Sequence, residues 1–317
     1  MTTIIVSILV RTRDRAGLLR EALASVAAQT QVGIELLVVN DGGQPVGDVV
    51  AEQARGAVVA HRYVDCMPGK GRSHAANRLL EMARGTYLMF LDDDDWWLPT
   101  HVARLVAALD AQPQKVAAYA DVSCVRRDAA GEYVEVSRFE SDYDVLRLGY
   151  ESFLPIHAVL FRRAVVEAGC RFDEALDAYE DWGFWLQVAR LGEMCRVPGV
   201  SAVYRLDSGA GFGCPESAQA ISRERLLAFV RSARAHWSDA QLVAMLGLLG
   251  HKYRADGIET ALSAARGELA AAQGERAQLA RALALCRDEI EGMRRSRSWR
   301  ITRPLRWLSG RLRGGGA

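Results

Sequence analysis

No run of about 18 consecutive apolar residues occurs in this 317-residue chain, so the simplest form of membrane-spanning helix is absent from the sequence. No C-x-x-C pair occurs either. Cys66, Cys124, Cys170, Cys195, Cys214 and Cys286 are scattered, which suits a reducing cytosol better than a disulfide framework or a structural zinc site. The segment after Met1, Ile4 to Val10, lacks the positive n-region of a signal peptide. The Gly-x-x-x-x-Gly-Lys-Ser/Thr spacing of a P-loop is missing. Net charge is nearly absent: a formal +1 argues against wholesale nucleic-acid binding. These absences leave a cytoplasmic chain, half hydrophobic by composition, able to bury one large domain plus an appendage.

What is present is a run of four aspartates, Asp92 to Asp95, set between the apolar Thr86 to Leu91 and the sequence Trp96-Trp97-Leu98-Pro99. The apolar run predicts a buried strand, and Pro99 suits the first turn of a following helix. The aspartates then fall in a strand-to-helix loop at the carboxyl edge of a sheet, where open α/β folds bind ligands. Crowded carboxylates repel unless a cation shares them, and Mn²⁺ or Mg²⁺ takes oxygen ligands. This points to a metal site that carries a phosphorylated substrate.

The first hundred residues alternate strand-like and helix-like patterns. Strands are expected at Ile4–Val10, Ile34–Val39 and Val58–Tyr63 and before the aspartates; helices at Leu18–Ala28, Val46–Ala54, Ser73–Ala83 and Pro99–Leu109. Such alternation predicts a mostly parallel sheet covered on both faces. Val116–Arg126 and Tyr133–Ser137 then suggest an antiparallel excursion, followed by an irregular loop over 138–156. Glu216–Trp237 and Ala240–Tyr253 read as helices. A heptad runs from Leu262 to Met293, with Leu262, Leu269, Arg276, Leu283 and Ile290 at one seam position. Ala265, Ala272, Leu279, Cys286 and Met293 occupy the other. It reads either as a coiled coil joining a second copy, making a homo-oligomer through 262–293, or as a long amphipathic helix folded back on its own domain.

Two further segments carry candidate chemistry. Asp41 closes the second strand beside Gly42-Gly43, where it can accept hydrogen bonds from a nucleoside or simply satisfy its own turn. Pro68-Gly69-Lys70-Gly71-Arg72-Ser73 sets basic groups before a helix start, with Ser73 as N-cap, an arrangement suited to anions.

In these segments the chain resembles the family 2 glycosyltransferases of the GT-A fold. Val6 to Arg15, leading to Ser25-Val26-Ala27-Ala28-Gln29-Thr30, is similar to the family's first strand and helix. Val38-Val39-Asn40-Asp41-Gly42-Gly43, Gly71-Arg72-Ser73-His74-Ala75-Ala76-Asn77, Phe90 to Asp95 and Tyr179 to Trp185 resemble four further family segments, in the expected order, over about residues 3 to 205. The chain departs from the usual pattern in carrying Arg11-Thr12-Arg13-Asp14-Arg15 where Pro-Thr-Tyr-Asn-Arg is common. It also has Asn40 for aspartate, Ala76 for arginine and Gly183 for aspartate.

The resemblance implies an α/β fold: a GT-A, Rossmann-like mixed sheet flanked by helices over 1–215. A helical extension (216–256), a coiled coil or long amphipathic helix (257–295) and a basic tail (296–317) would follow. It implies an inverting sugar transferase that uses a nucleotide-diphosphate sugar donor. Thr12, Asp14, Arg15, Asn40, Asp41, Lys70, Arg72, Asn77, Asp92, Asp93 and His157 would then line the donor site. Asp94, with Asp92, would hold the metal. Asp181 would be the general base and Glu180 second to it or a support for the acceptor. Read without the family, Glu180-Asp181 is an acidic helix start and His157 a satisfied core histidine. Tyr204-Arg205 and Asp207 to Gly213 look like the loop that closes over donor.

From Gly292 to Ala317 there are eight arginines and no acidic residue, interleaved with Trp299, Trp307 and leucines. That mixture over 296–313 suits an anionic membrane surface at the inner face of the cell membrane. Similar endings in bacterial cell-surface polysaccharide transferases imply a glycan or lipid-linked glycan acceptor. RNA binding and a merely solvated basic tail are the competing readings, and no nucleic-acid module accompanies the tail. Two rivals to the transferase remain at this point: a sugar nucleotidyltransferase, and a non-catalytic nucleotide-binding scaffold acting through its coiled coil.

Overall fold

The computed structural model describes residues 3–149, 151–176, 178–207, 223–234, 237, 266–267, 269–292 and 295. The chain divides into two compact units, Met1–Leu246 and Gly247–Ala317.

The first unit is built on a nine-stranded sheet. Strands β1 (Val6–Thr12), β2 (Ile34–Asn40), β3 (Val58–Asp65) and β4 (Tyr87–Asp92) form its first half in the order β3-β2-β1-β4, all parallel. Every residue of β1 and β2 is buried, as expected of strands covered on both faces, whereas the edge strand β3 has no buried residue. Helix α1 (Ala16–Ala27) buries Leu19, Ala22, Leu23 and Val26, the spacing of one helical stripe. Helices α2 (Gly47–Gln53), α3 (Arg72–Met82) and α4 (His101–Ala111) complete the alternation.

One expectation is overturned here. The aspartate loop does not run straight into a helix at Pro99. Trp96–Trp97 form a short strand, β5, paired antiparallel to Val203 and Ala202, and α4 begins at His101. The Trp97 indole also donates to the His157 carbonyl at 2.8 Å, so the two tryptophans are claimed by the sheet before a helix can start.

Strand direction changes in the second half of the sheet. β6 (Ala117–Arg127) and β7 (Tyr133–Phe139) do form an antiparallel pair. However, β8 (Val159–Arg162) inserts antiparallel between β4 and β6, and β9 (Met194–Arg205) lies parallel to β6. The sheet is therefore mixed, as the family resemblance implies, with the parallel pairing of the alternating pattern confined to β1–β4. Between β7 and β8, the stretch read as irregular holds a one-turn helix, α5 (Val145–Leu148), whose N-cap Asp144 accepts from the amides of Leu146 and Arg147. α6 (Ala164–Glu167) follows β8.

An aromatic core decides where α7 (Glu180–Leu191) begins. Phe184 stacks on Phe172 with centroids 4.5 Å apart, Phe172 meets Phe90 of β4 edge-on at 5.2 Å, and Trp185 meets Phe161 of β8 at 5.8 Å. These contacts fix the helix against β4 and β8 and place its first residues at the carboxyl edge of β4. α8 (Arg223–Arg234) follows, with Phe229 stacked on Trp182 at 4.3 Å.

In the second unit, residues 269–292 form a helix, α9, on which Leu269, Leu279, Leu283 and Ile290 are exposed. Among the described residues no helix is long and apolar enough to cross a membrane. Tyr204 and Arg205, expected in the donor loop, instead end β9, paired with Cys124 and Val125 of β6. Residues 208–222 and most of 235–265, with the rest of that loop and the helix at Ala240–Tyr253, lie outside the described residues, as do Leu262, Ala265, Met293 and the tail 296–317.

Candidate active site

The parallel register brings three strand ends together. Thr12 pairs with Asn40, and Arg11 with Asp92, so the carboxyl ends of β1, β2 and β4 lie side by side. A cavity of about 560 Å³ opens over them.

The four aspartates diverge there. Asp92 accepts from the Arg11 Nε at 3.3 Å. Burial pushes its carboxyl up, but the charges of Arg11, Arg72 and His157 outweigh that and hold it below the usual carboxylate range. Asp93 accepts from the Thr12 hydroxyl at 2.7 Å and from Arg15 at 3.0 Å. Burial, reinforced by the charge of Asp94, pushes it up to about 6. Asp94 pairs with the same Arg15 nitrogen at 3.0 Å. Asp95 turns away from the cavity. It lies 2.9 Å from His157 Nδ1 and accepts from the Arg205 amide, and burial pushes it up to about 6.

The N-terminus of α7 closes the opposite wall. Tyr179, just before it, holds a left-handed backbone with φ +59°. This conformation disfavours a side chain as bulky as tyrosine and turns the chain sharply into the cavity. Glu180 does not cap the helix. Its Oε1 accepts from Arg11 at 2.9 Å and from Arg72 at 3.1 Å. Asp181 uses one oxygen on the Trp182 amide at 2.8 Å. Burial and the neighbouring charge of Glu180 push Asp181 up to about 6, which suits a group that must exchange a proton near neutral pH.

Of the candidate residues, Thr12, Arg15, Asp41, Arg72, Asp92, Asp93, Asp94, His157, Glu180 and Asp181 line this one cavity. His157 reaches it from a 3-10 turn (Ile156–Ala158) rather than from a strand, stacked on Tyr204 at 5.7 Å. Asp41 turns one carboxylate onto the amides of Lys70 and Gly71 at 2.7 and 2.9 Å, pinning the glycine loop. Gly69 sits so close to the Asp41 carbonyl that a Cβ would meet it at 2.3 Å.

Four candidates are off the wall. The Asp14 carboxylate accepts from the Gln44 amide, and the Asn40 amide donates to Asp65 and to the Gln44 carbonyl. Lys70 meets Asp41 through its backbone amide, which donates to the carboxylate. Asn77 brackets Phe172, donating to its carbonyl and accepting from its amide. Each satisfies backbone or a neighbouring polar group at a loop, the common fate of such side chains. Ser73 is likewise not the cap of α3. Gly71 occupies that position with φ +101°, and the Ser73 hydroxyl donates to the Leu176 carbonyl. Sequence reading gave no role to Arg11, which lines the cavity. The signal was a charge at the end of an otherwise apolar strand.

Asp92 and Asp94 present hard oxygen donors to the cavity, the chemistry that Mn²⁺ and Mg²⁺ favour. Among the described residues no group of three or more His, Cys, Asp or Glu is assembled as a ligand set. An ion here would therefore take most of its shell from a diphosphate and water, as Mg²⁺ commonly does, with Arg15 releasing Asp94. On those terms the donors fit.

The glycosyl transferase family 2 model matches residues 7–169, a little over half of the chain and the part that carries β1 to β8. The chain belongs to glycosyl transferase family 2. It is 27% identical over 204 residues to the uncharacterized glycosyltransferase YwdF of Bacillus subtilis, covering 63% of this chain and 73% of YwdF. Among solved structures it is similar to S. aureus TarS 1–349 in complex with UDP-GlcNAc, with a TM-score of 0.60, 18% identity and coverage of 74% of this chain and 66% of that one. It is also similar to the mannosyltransferase PcManGT of Pyrobaculum calidifontis in complex with GDP-Man and Mn²⁺, with a TM-score of 0.50, 21% identity and 80% of each chain covered. The match thus spans just under two-thirds of the TarS fragment. At these identities the structural likenesses show the fold, the GT-A mixed sheet flanked by helices, and the family membership makes the chain a glycosyltransferase.

Proposed function

We propose that this glycosyltransferase moves a sugar from a nucleotide-diphosphate donor to a hydroxyl acceptor in one inverting displacement, with Asp181 as base. The observation that carries the reading is that Asp92, Asp94 and Asp181 line one cavity at the carboxyl edge of the parallel strands. The UDP-GlcNAc held by TarS and the GDP-Man and Mn²⁺ held by PcManGT support a donor of this class.

Asp41 and Thr12 face the nucleoside end of the donor, and Arg15, Arg72 and His157 supply positive charge along the diphosphate. Asp94, with Asp92, would hold Mn²⁺ or Mg²⁺, whose chemistry is to stabilise negative charge on the departing diphosphate. Asp181 takes the acceptor hydroxyl proton as that oxygen bonds to the anomeric carbon. The bond from that carbon to the diphosphate oxygen breaks, its electron pair leaving with the nucleotide. Glu180, held by two arginines, orients the acceptor side.

Release of nucleoside diphosphate from a panel of UDP-, GDP- and dTDP-sugars, with acceptor, tests this. Acceptor-dependent release that Asp181→Asn abolishes supports the reading. Release of pyrophosphate instead would point to the nucleotidyltransferase, and no turnover with any donor would favour the scaffold.

We propose two further features. The heptad over 262–293 joins a second copy in parallel register, supported by the exposed seam residues Leu269, Leu279, Leu283 and Ile290. The tail over 296–313 holds the enzyme to an anionic membrane surface, where a lipid-linked glycan of the bacterial surface is the acceptor. Its support is the six arginines and interleaved tryptophans of that segment.

A further inference from the structure

Arg11 reaches both walls of the cavity at once. Its Nε lies 3.3 Å from Asp92 Oδ1, its Nη2 lies 2.9 Å from Glu180 Oε1, and its Nη1 donates to the Arg72 carbonyl at 3.5 Å. The side chain is 7% exposed. Glu180 in turn is 3% exposed, and the same Oε1 takes a second guanidinium, from Arg72. All three nitrogens of Arg11 are thus engaged by the protein, which leaves it poorly placed to capture phosphate. Arg13, 66% exposed on the same wall, is the freer cation.

We infer that Arg11 is a positioning residue that ties the donor-side carboxylate Asp92 to the acceptor-side carboxylate Glu180, fixing Glu180 so that Asp181 is the carboxylate left to take the proton. This rests on the transferase reading for its catalytic meaning, but the positioning itself can be measured without turnover. The planar fork of arginine spans two carboxylates in fixed geometry; a lysine ammonium is a single point and cannot.

The groups facing Asp181 are Glu180 on its own helix, Arg11 from β1 and Arg72 from α3. Loosening Arg11 therefore leaves the charge of Glu180 less compensated, and Asp181 holds its proton to higher pH. The test is a ¹³C-carboxyl NMR titration of full-length protein, with Asp181 assigned by Asp181→Asn, on wild type, Arg11→Lys and Arg11→Lys with Glu180→Gln. The expected result is a midpoint near 6 in wild type that rises in Arg11→Lys and returns toward wild type in the double variant. Thermal denaturation of each variant confirms that folded protein is compared. A midpoint unmoved in folded Arg11→Lys overturns the inference, as does a rise that Glu180→Gln leaves in place.

In turnover assays Arg11→Lys should lose roughly 10- to 100-fold in kcat with little change in donor KM, the signature of misplacement rather than lost binding. Wild-type kcat in that variant would also overturn it. If the midpoint moves as expected but wild type transfers no sugar, the bridge stands and the transferase reading falls.

Discussion

Asp95, which turns away from the cavity, and His157, which lines it, face each other at 2.9 Å, with 0% and 1% of their side chains exposed. Burial would keep the imidazole neutral, but the charge of Asp95 outweighs it and raises His157 above its usual value. The pair anchors the loop that carries Asp92 and Asp94 and stacks on Tyr204 of β9.

Removing one partner leaves the other charge buried and uncompensated. His157→Ala should therefore cost about 3–5 kcal/mol in urea unfolding, and the double variant with Asp95→Asn should recover part of it. Equal losses in single and double variants would mean that the imidazole contributes by packing alone.

Asp181→Asn should lower kcat by roughly 10²- to 10⁴-fold while leaving donor affinity intact. With Asp181 raised to about 6, the base is ionised above that pH and protonated below it, so kcat should fall as pH drops through 6. A flat acid limb down to pH 5 in wild type would assign the base elsewhere.

Asn77 serves Phe172 rather than the cavity. Asn77→Ala should leave nucleotide affinity within about twofold but destabilise the fold by about 1–3 kcal/mol, since it strands the Phe172 amide and carbonyl. Calorimetry and urea unfolding on the same sample separate the two effects.

Parallel pairing of α9 in register would set Cys286, exposed and at a seam position, against its counterpart. Mild oxidation should then give a disulfide-linked dimer that Cys286→Ser abolishes, and Leu279→Ser with Leu283→Ser should shift sedimentation to monomer. A monomer at all concentrations in the wild type contradicts the pairing.

The parallel half of the fold was legible because β1, β2 and β4 are largely apolar runs that end in polar residues, separated by helices with single buried stripes. The mixed half was not. Trp96-Trp97 as a strand depends on pairing with Val203 and Ala202, a contact more than a hundred residues away. The site divides in the same way. Asp92, Asp94 and Asp181 sit at element ends whose position follows from chain pattern, and they converge. Asn40 and Asn77 sit one or a few residues from the cavity, where the rotation of one side chain decides between ligand and backbone. Sequence spacing does not carry that rotation.

The most direct test of the account is calorimetric titration with nucleoside diphosphates and their sugars, with and without Mn²⁺, on wild type and Asp94→Ala. The account predicts Mn²⁺-dependent binding of one nucleotide class that Asp94→Ala loses by tenfold or more, about 1.4 kcal/mol. Binding indifferent to both Mn²⁺ and Asp94, or no binding at all, would contradict it.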